Sequence, residues 1–61
     1  MKKKLIDHRK ACGYSRRFVA EKLGYNYKTL TAKELGKRKF SVNDIRKLAA
    51  FYGISLDEIE D

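Results

Sequence analysis

The chain has 61 residues, which predicts a single domain over residues 1–61, near the lower size limit for independent folding. A core this small cannot enclose a deep substrate cavity, so the length argues against an enzyme. Residues 1–56 contain all 15 basic side chains but only half of the 8 acidic ones. A segment this basic favours a polyanionic partner, because binding neutralises the charges of the partner and releases its counterions.

The first predicted element is a helix from about Lys3 to Cys12, which ends at Gly13. It is preceded by a basic segment, residues 1–4. We expect this segment to be a mobile, solvated tail whose lysines add general electrostatic attraction. Ser15 is the predicted N-cap of the next helix, because its hydroxyl can accept a hydrogen bond from a free backbone N–H of the first turn.

Residues 16–35, RRFVAEKLGYNYKTLTAKEL, have the pattern of two short amphipathic helices joined at one glycine. Val19, Ala20 and Leu23 share one face of the first of these helices. Gly24 ends that helix, because glycine adopts the left-handed C-cap conformation without strain. The chain can therefore turn sharply at this point.

The residues after the turn predict a third helix, Tyr27–Glu34, with Asn26 as its N-cap. Leu30 faces back toward the preceding helix. An outward face is left for Tyr27, Lys28, Thr31 and Ala32. Two helices around a short turn, with such a face exposed, are typical of a helix-turn-helix that enters a nucleic-acid groove.

A loop with three consecutive cations, residues 37–39, follows the third helix. Ser41 and Asp44 then form a variant of the capping box at the start of a fourth helix, Val42–Tyr52. An inward stripe at helical spacing is expected along that helix, made by Ile45, Leu48, Ala49 and Tyr52.

The last predicted element is a short helix at about residues 56–59. Ser55 and Glu58 have the spacing of a second capping box at its start. The chain has no proline and no alternating strand pattern. The predicted fold is therefore an all-α, compact bundle of five helices.

Residues Leu5 to Ile59 resemble the phage Cro/repressor-like helix-turn-helix family. The resemblance covers nearly the whole chain, and its ordered series of motifs is more specific than one motif alone. It is carried here by Arg9, Ser15, Ala20, Gly24, Glu34-Leu35-Gly36-Lys37 and the segment LAAFYGISLDEI. It implies a lambda-repressor-like domain that places its third helix in the DNA major groove, and two-fold dimers on near-palindromic operators.

The resemblance also implies roles for individual residues. Arg16 stands at the start of the second helix, where the family usually has glutamine. Arginine prefers a phosphate or the O6/N7 edge of guanine, so the base specificity of the family does not transfer to this position. Each of three residues also has an alternative to a base contact. Arg16 and Lys28 can be solvated cations, and Tyr27 can be an aromatic residue that covers the core. The implied base contacts are Arg16, Tyr27, Lys28, Thr31 and Ala32.

Phosphate contacts are expected from a wider set of residues that position the protein without specifying sequence. Asn26 and Thr29 lie where the open N–H groups and positive dipole end of the third helix favour an anion. The cationic loop matches the family's loop beside the DNA backbone, and Arg17 adds attraction. The predicted set is Asn26, Thr29, Lys37, Arg38, Lys39 and Arg17.

Three further positions have expected structural roles. In the family, an arginine of helix one often pairs with the glutamate that ends helix three. The resemblance therefore implies a partly buried ion pair between Arg9 and Glu34. The alternative is that Glu34 merely offsets the local positive charge. His8 is expected to pack at the edge of the core. Lys33 stands where the family has a large apolar residue, so we expect its stem to be buried and its ammonium to reach solvent.

The position of Lys33 has two further consequences. Leu35 and Phe40 are expected to fill the gap beside its stem. The alternatives are a shifted axis of the third helix and a surface altered for a protein partner. Phe51, Ile54, Leu56 and Ile59 have two interpretations as well, since they can form a small dimer seam or belong to the core.

The remaining sequence features concern cellular location and the need for a metal or cofactor. No segment has the length of a membrane span or the form of a signal peptide, which predicts a cytoplasmic location. Cys12, the only cysteine, is expected to be a small buried hydrophobe, and one histidine makes a metal cluster implausible, so no metal or cofactor is expected.

The functional prediction is a sequence-specific regulator that binds double-stranded DNA, of the phage or mobile-element repressor type. The alternative is a protein-interaction module, antitoxin-like or anti-repressor, that keeps the same fold. A basic surface for anionic membranes fits less well, because charged and apolar residues are distributed as in a bundle.

Overall fold

The computed structural model describes residues 2–61, and this part of the chain contains four α-helices followed by one turn of 3-10 helix. The predicted bounds of the third and fourth helices are confirmed. In chain order the elements are α1 Leu5–Ala11, α2 Arg16–Leu23, α3 Tyr27–Glu34, α4 Val42–Tyr52 and the 3-10 turn Leu56–Glu58.

The caps predicted from sequence explain why the helices start and stop where they do. The Ser15 hydroxyl accepts a hydrogen bond from the backbone N–H of Phe18 at 3.0 Å. Gly24 ends α2 with a φ of 75°, in the left-handed region that glycine tolerates. Ser41 and Asp44 form a complete capping box at the start of α4.

The core is built from one large side chain of each α-helix. Leu5, Val19, Leu30 and Leu48 are essentially inaccessible to solvent and come from α1, α2, α3 and α4 respectively. Each such side chain contributes about 1.5–3 kcal/mol by leaving water. The four helices are therefore held around one apolar centre, to which Ala20, Ala49, Tyr52 and Ile59 also belong.

The prediction of a fifth α-helix is wrong. Ser55 and Glu58 do form the expected capping box, but it starts a 3-10 turn of only 3 residues. Ile59 then returns to extended backbone and forms a parallel bridge with Lys3. The helix cannot continue because these residues pair with the opposite end of the chain instead.

The same bridge corrects the prediction for the N-terminal segment. The backbone N–H of Lys3 donates to the Glu58 carbonyl at 3.0 Å, and the Glu60 N–H donates to the Lys3 carbonyl at 2.9 Å. The expectation of a mobile tail is therefore wrong for Lys3. α1 begins at Leu5 because its N-cap residue, Lys4, still has extended backbone. The Asp61 carboxylate accepts the Leu5 N–H at 3.0 Å.

Cys12 is exposed, so the prediction of a buried hydrophobe is wrong. It is the C-cap residue of α1, and it is followed by Gly13, whose φ of 77° lies in the left-handed region. His8, by contrast, is buried, and its Nε2–H donates to the Glu58 carbonyl at 2.7 Å, as expected for a satisfied histidine at the core edge.

Lys33 turns inward, and the expectation that its ammonium reaches solvent is wrong. Its Nζ forms an ion pair with Oδ2 of Asp44, and these side chains are only 14% and 11% exposed. Tyr25 donates its hydroxyl to the other carboxylate oxygen of Asp44 at 2.6 Å. Leu35 does not fill the gap, since it is 56% exposed, whereas Phe40 is half-buried and packs against the core.

The surroundings of Asp44 shift its titration. Burial alone raises the pKa of the carboxyl, but the hydrogen bonds from Lys33, Tyr25 and Ser41 outweigh burial and hold the pKa well below its usual range. Burial, followed by the hydrogen bond to Asp44, raises the pKa of Tyr25. The cluster is therefore stable in one charge state, with Asp44 ionised and Tyr25 neutral.

This lowered pKa predicts how acid affects folding. The ionised Asp44 stabilises the native state fully above its unfolded-state pKa of about 4, and that stabilisation is lost as pH falls toward the lower native pKa. Between wild type and Asp44→Asn, the difference in free energy of unfolding should shrink below about pH 4, by at most about 1.4 kcal/mol per pH unit.

Urea denaturation from pH 7 to pH 2 measures this difference. Asp57→Asn, a change at an exposed acid, is the matched control and should follow the wild-type curve. A difference between wild type and Asp44→Asn that stays constant across this range would contradict the assignment of a lowered pKa to Asp44.

Candidate nucleic-acid interface

The candidate interface is organised by α2 and α3, which pack against each other around the turn at Gly24. Val19 and Ala20 of α2 and Leu30 of α3 are buried between the helices. The Tyr25 N–H donates to the Ala20 carbonyl at 2.8 Å and closes the turn. The opposite face of α3 is left toward solvent.

Four of the five predicted base-contact residues lie together on this outer face. Tyr27 is 44% exposed, Lys28 is exposed, and Thr31 and Ala32 are half-buried. They line one shallow depression of about 190 Å³, which Leu35 and Lys37 complete. Leu35 was missed by the sequence argument, which assigned it to the core. Its only signal was its position, directly after the last helical residue.

Arg16, the fifth predicted base-contact residue, lies beside this depression at the start of α2. Its guanidinium is 6.0 Å from the centre of the Tyr27 ring, and that of Arg17 is 5.6 Å away. Both guanidinium groups therefore lie within the range of cation–π attraction to the ring of the exposed Tyr27. The tyrosine ring keeps both guanidinium groups next to the outer face of α3.

A buried carboxylate holds Arg16 in this position. Glu34 Oε1 accepts from Arg16 Nε at 2.8 Å, and Glu34 Oε2 accepts from Arg9 Nε at 2.8 Å. The Glu34 side chain is only 1% exposed. Arg9 also donates from Nη1 to the Tyr14 carbonyl at 2.8 Å. The ion pair implied for Arg9 and Glu34 is thus part of a three-residue network.

Arg16 was not predicted to belong to this network. Arg16 and Glu34 are 18 residues apart and belong to different helices, so no local spacing relates them. The hydrogen bond to Glu34 raises the pKa of the Arg16 guanidinium, whose charge is permanent in any case. Arg16 is 21% exposed, so it is fixed on its inner side while part of it still faces solvent.

The start of α3 is less open to an anion than predicted. Oδ1 of Asn26 accepts from the backbone N–H of Lys28 at 2.9 Å and of Thr29 at 3.4 Å. The expectation of open N–H groups is therefore wrong for these two, because the Asn26 cap already satisfies them. Asn26 and Lys28 themselves are exposed, and Thr29 is half-buried.

The cationic loop is folded back onto the end of α3. The Ala32 carbonyl accepts from the N–H of Lys37 at 2.9 Å and of Arg38 at 3.3 Å. The side chains of Lys37, Arg38 and Lys39 are all exposed. The loop thus presents its charges next to the outer face of α3, in a position fixed by backbone hydrogen bonds.

None of the helices within residues 2–61 combines the length and the apolar character that crossing a membrane requires.

The paired helices, the glycine turn and the exposed basic face define a helix-turn-helix protein of the DNA-binding class. A family model described as Helix-turn-helix matches residues 5–59. The chain therefore belongs to the Cro/repressor-like helix-turn-helix family, a generally non-enzymatic family, and is a DNA-binding regulator. Searches of curated proteins and of solved structures found no match to the chain.

The network around Glu34 predicts unequal costs for removing its two arginines. Arg9→Ala should destabilise the protein by about 3–5 kcal/mol, because Arg9 is the more buried partner and also bonds the Tyr14 carbonyl. Arg16→Ala should cost less, about 1–2 kcal/mol, since Arg9 still neutralises Glu34. Denaturant unfolding monitored by circular dichroism measures both free energies.

The exposed neighbour Arg17 provides the control, and Arg17→Ala should change stability by less than about 0.5 kcal/mol. If Arg9→Ala cost no more than Arg17→Ala, the network would contribute nothing to folding.

Proposed function

We propose that this protein is a sequence-specific transcriptional repressor of the phage or mobile-element type, which occupies a DNA operator and inserts α3 into the major groove. The single observation that carries the proposal is the outer face of α3. There, Tyr27, Lys28, Thr31 and Ala32 line one surface, beside an arginine that a buried carboxylate holds in place. A single helix of this kind fits the width of the B-DNA major groove.

The side chains on this face suit base recognition in different ways. Lys28 and Arg16 can donate to the O6 and N7 acceptors of guanine. Tyr27 and Ala32 offer apolar contact to a base edge. Thr31 donates its hydroxyl to the Tyr27 carbonyl at 2.8 Å, so toward a base it acts as an acceptor or an apolar group.

Backbone contacts are proposed for the residues that surround this face. Lys37, Arg38 and Lys39 are supported by the hydrogen bonds that hold their loop against α3. Arg17 is exposed beside Tyr27. Since Asn26 uses its carbonyl oxygen for the cap, its amide N–H groups are what it can offer to a phosphate. Contacts of this kind fix register without reading sequence.

A two-fold dimer on a near-palindromic operator remains part of the proposal, with contacts that form on DNA. Of the four residues considered for a seam, Ile59 is buried in the core, and Phe51 and Ile54 are half-buried against it. Leu56 is 50% exposed. The apolar area offered by this end of the protein is therefore small, which supports assembly on the operator over a strong dimer in free solution.

The alternative of a protein-interaction module loses one of its two supports. Lys33 was the residue that suggested a modified surface, but it pairs with Asp44 and is largely buried. The acidic side chains at the C-terminal end remain as the feature of a protein-binding surface. A regulator that binds DNA accounts for more of the exposed charge.

Selection of duplexes from a random pool tests the proposal. A selected duplex should bind at least ~10³-fold more tightly than bulk DNA, because specific sites exceed non-specific ones by that factor or more. Affinity should fall with salt, with a log–log slope of roughly −4 to −8, if several phosphates are contacted. The spacing of selected half-sites reports the dimer geometry. Failure to enrich any duplex would reject sequence-specific regulation.

The proposed roles of two lysines predict different mutant behaviour. Lys28→Ala should change base preference at one position and cost about 1–3 kcal/mol on the selected duplex. Lys37→Ala should weaken selected and random duplexes alike and reduce the salt slope by about 1. Fluorescence anisotropy titrations at several salt concentrations measure both effects, and the roles are wrong if the two variants behave identically.

A further inference from the structure

We propose that the depression on the outer face of α3 binds the 5-methyl group of a pyrimidine in the major groove, and that Leu35 determines specificity at this contact. The inference rests on the proposed function, because it requires α3 to enter the groove. The depression has a volume of about 190 Å³. One water molecule occupies about 30 Å³ in the liquid. The depression is several times larger than that, so it has room for a methyl group and the adjoining edge of the base ring.

The apolar character of this site comes from three residues. Leu35 and Tyr27 are the two large apolar side chains of the lining, 56% and 44% exposed, and Ala32 lies between them in sequence. A single exposed leucine is ordinary on a protein surface. Here, however, an exposed leucine and an exposed tyrosine line one depression, on the face proposed to meet DNA, where contact with an apolar group would remove both from water.

The polar residues of the lining do not oppose this contact. The Thr31 hydroxyl donates to the Tyr27 carbonyl at 2.8 Å, so its hydrogen is already used within the helix. Lys28 and Lys37 complete the lining with positive charge. The depression therefore suits an apolar group carried by a polyanion. In the major groove, the apolar group of a base edge is the 5-methyl of a pyrimidine, on thymine or on 5-methylcytosine.

The position of Leu35 is fixed by the backbone. Its N–H donates to the Thr31 carbonyl at 3.0 Å, and it is followed by Gly36, whose φ of 81° reverses the chain. On its other side is Glu34, whose side chain is buried. Leu35 is thus held at the end of α3 by its neighbours and does not depend on a mobile loop for its placement.

The test compares thymine with uracil in a duplex selected from a random pool. Uracil lacks the methyl group but keeps the same base-pairing edge. Replacing thymines one at a time should reveal at least one position where wild-type protein binds the uracil duplex more weakly, by roughly threefold to tenfold. For Leu35→Ala, the ratio of the two affinities at that position should fall to about one. Circular dichroism verifies that the variant is folded.

Two variants serve as controls. Leu56→Ala removes a leucine of similar exposure, 50%, that lies outside the depression, and it should keep the wild-type thymine-to-uracil ratio. Arg38→Ala should weaken binding to both duplexes while leaving the ratio unchanged, because Arg38 lies outside the lining of the depression and its proposed role is toward the backbone.

A further pair of duplexes identifies the source of the methyl group. Cytosine and 5-methylcytosine are compared at the sensitive position. If 5-methylcytosine binds wild-type protein more tightly than cytosine does, and Leu35→Ala abolishes that difference in affinity, the depression accepts a methyl group on either base. If it does not, thymine is the source. Both results keep the contact.

The proposal is overturned if no thymine is sensitive, or if Leu35→Ala retains the full thymine-to-uracil ratio. The selection step separates this failure from that of the proposed function. A pool that yields a tight duplex with no methyl-sensitive position rejects the depression as a methyl site alone. A pool that yields no tight duplex rejects specific DNA recognition, and the methyl site with it.

Discussion

The carboxylate of Glu34 is the constraint on which the arrangement of the helices depends. It is the last residue of α3, it is almost completely buried, and its two oxygens accept one hydrogen bond each from Arg9 and Arg16. A carboxylate in this position without partners would destabilise the fold by several kcal/mol. Because the partners belong to α1 and α2, a single side chain ties three helices together and also fixes an arginine beside the proposed DNA-reading face.

The preceding residue, Lys33, attaches α3 to α4 through Asp44. Within α3, where every residue is described, Leu30 is the only large apolar residue that is buried. One apolar side chain restrains the rotation of a helix poorly, whereas ion pairs and hydrogen bonds require particular directions. The two consecutive charged residues therefore define which side of α3 faces outward. That side presents Tyr27, Thr31 and the other residues of the depression, so the interface is set by polar contacts behind it.

The parts of the fold that could be predicted are those with local signals. Ser15, Asn26 and Ser41 are N-caps whose partners lie two or three residues away, and Gly24 carries its own backbone preference, so the helix boundaries of the central region are correct. The errors concern contacts between distant parts of the chain. The C-terminal turn stops where Ile59 meets Lys3, Lys33 pairs with Asp44, and Leu35 is exposed.

The helix-turn-helix, its family and four of the residues that line the outer depression follow from the sequence alone, because periodicity and caps are properties of a few adjacent residues. The folded protein was needed to show that Arg16 shares Glu34 with Arg9, that Lys33 points inward and that Leu35 joins the reading face. Those outcomes depend on which charged groups meet once the helices have packed, and no local spacing records partners 11 to 25 residues apart.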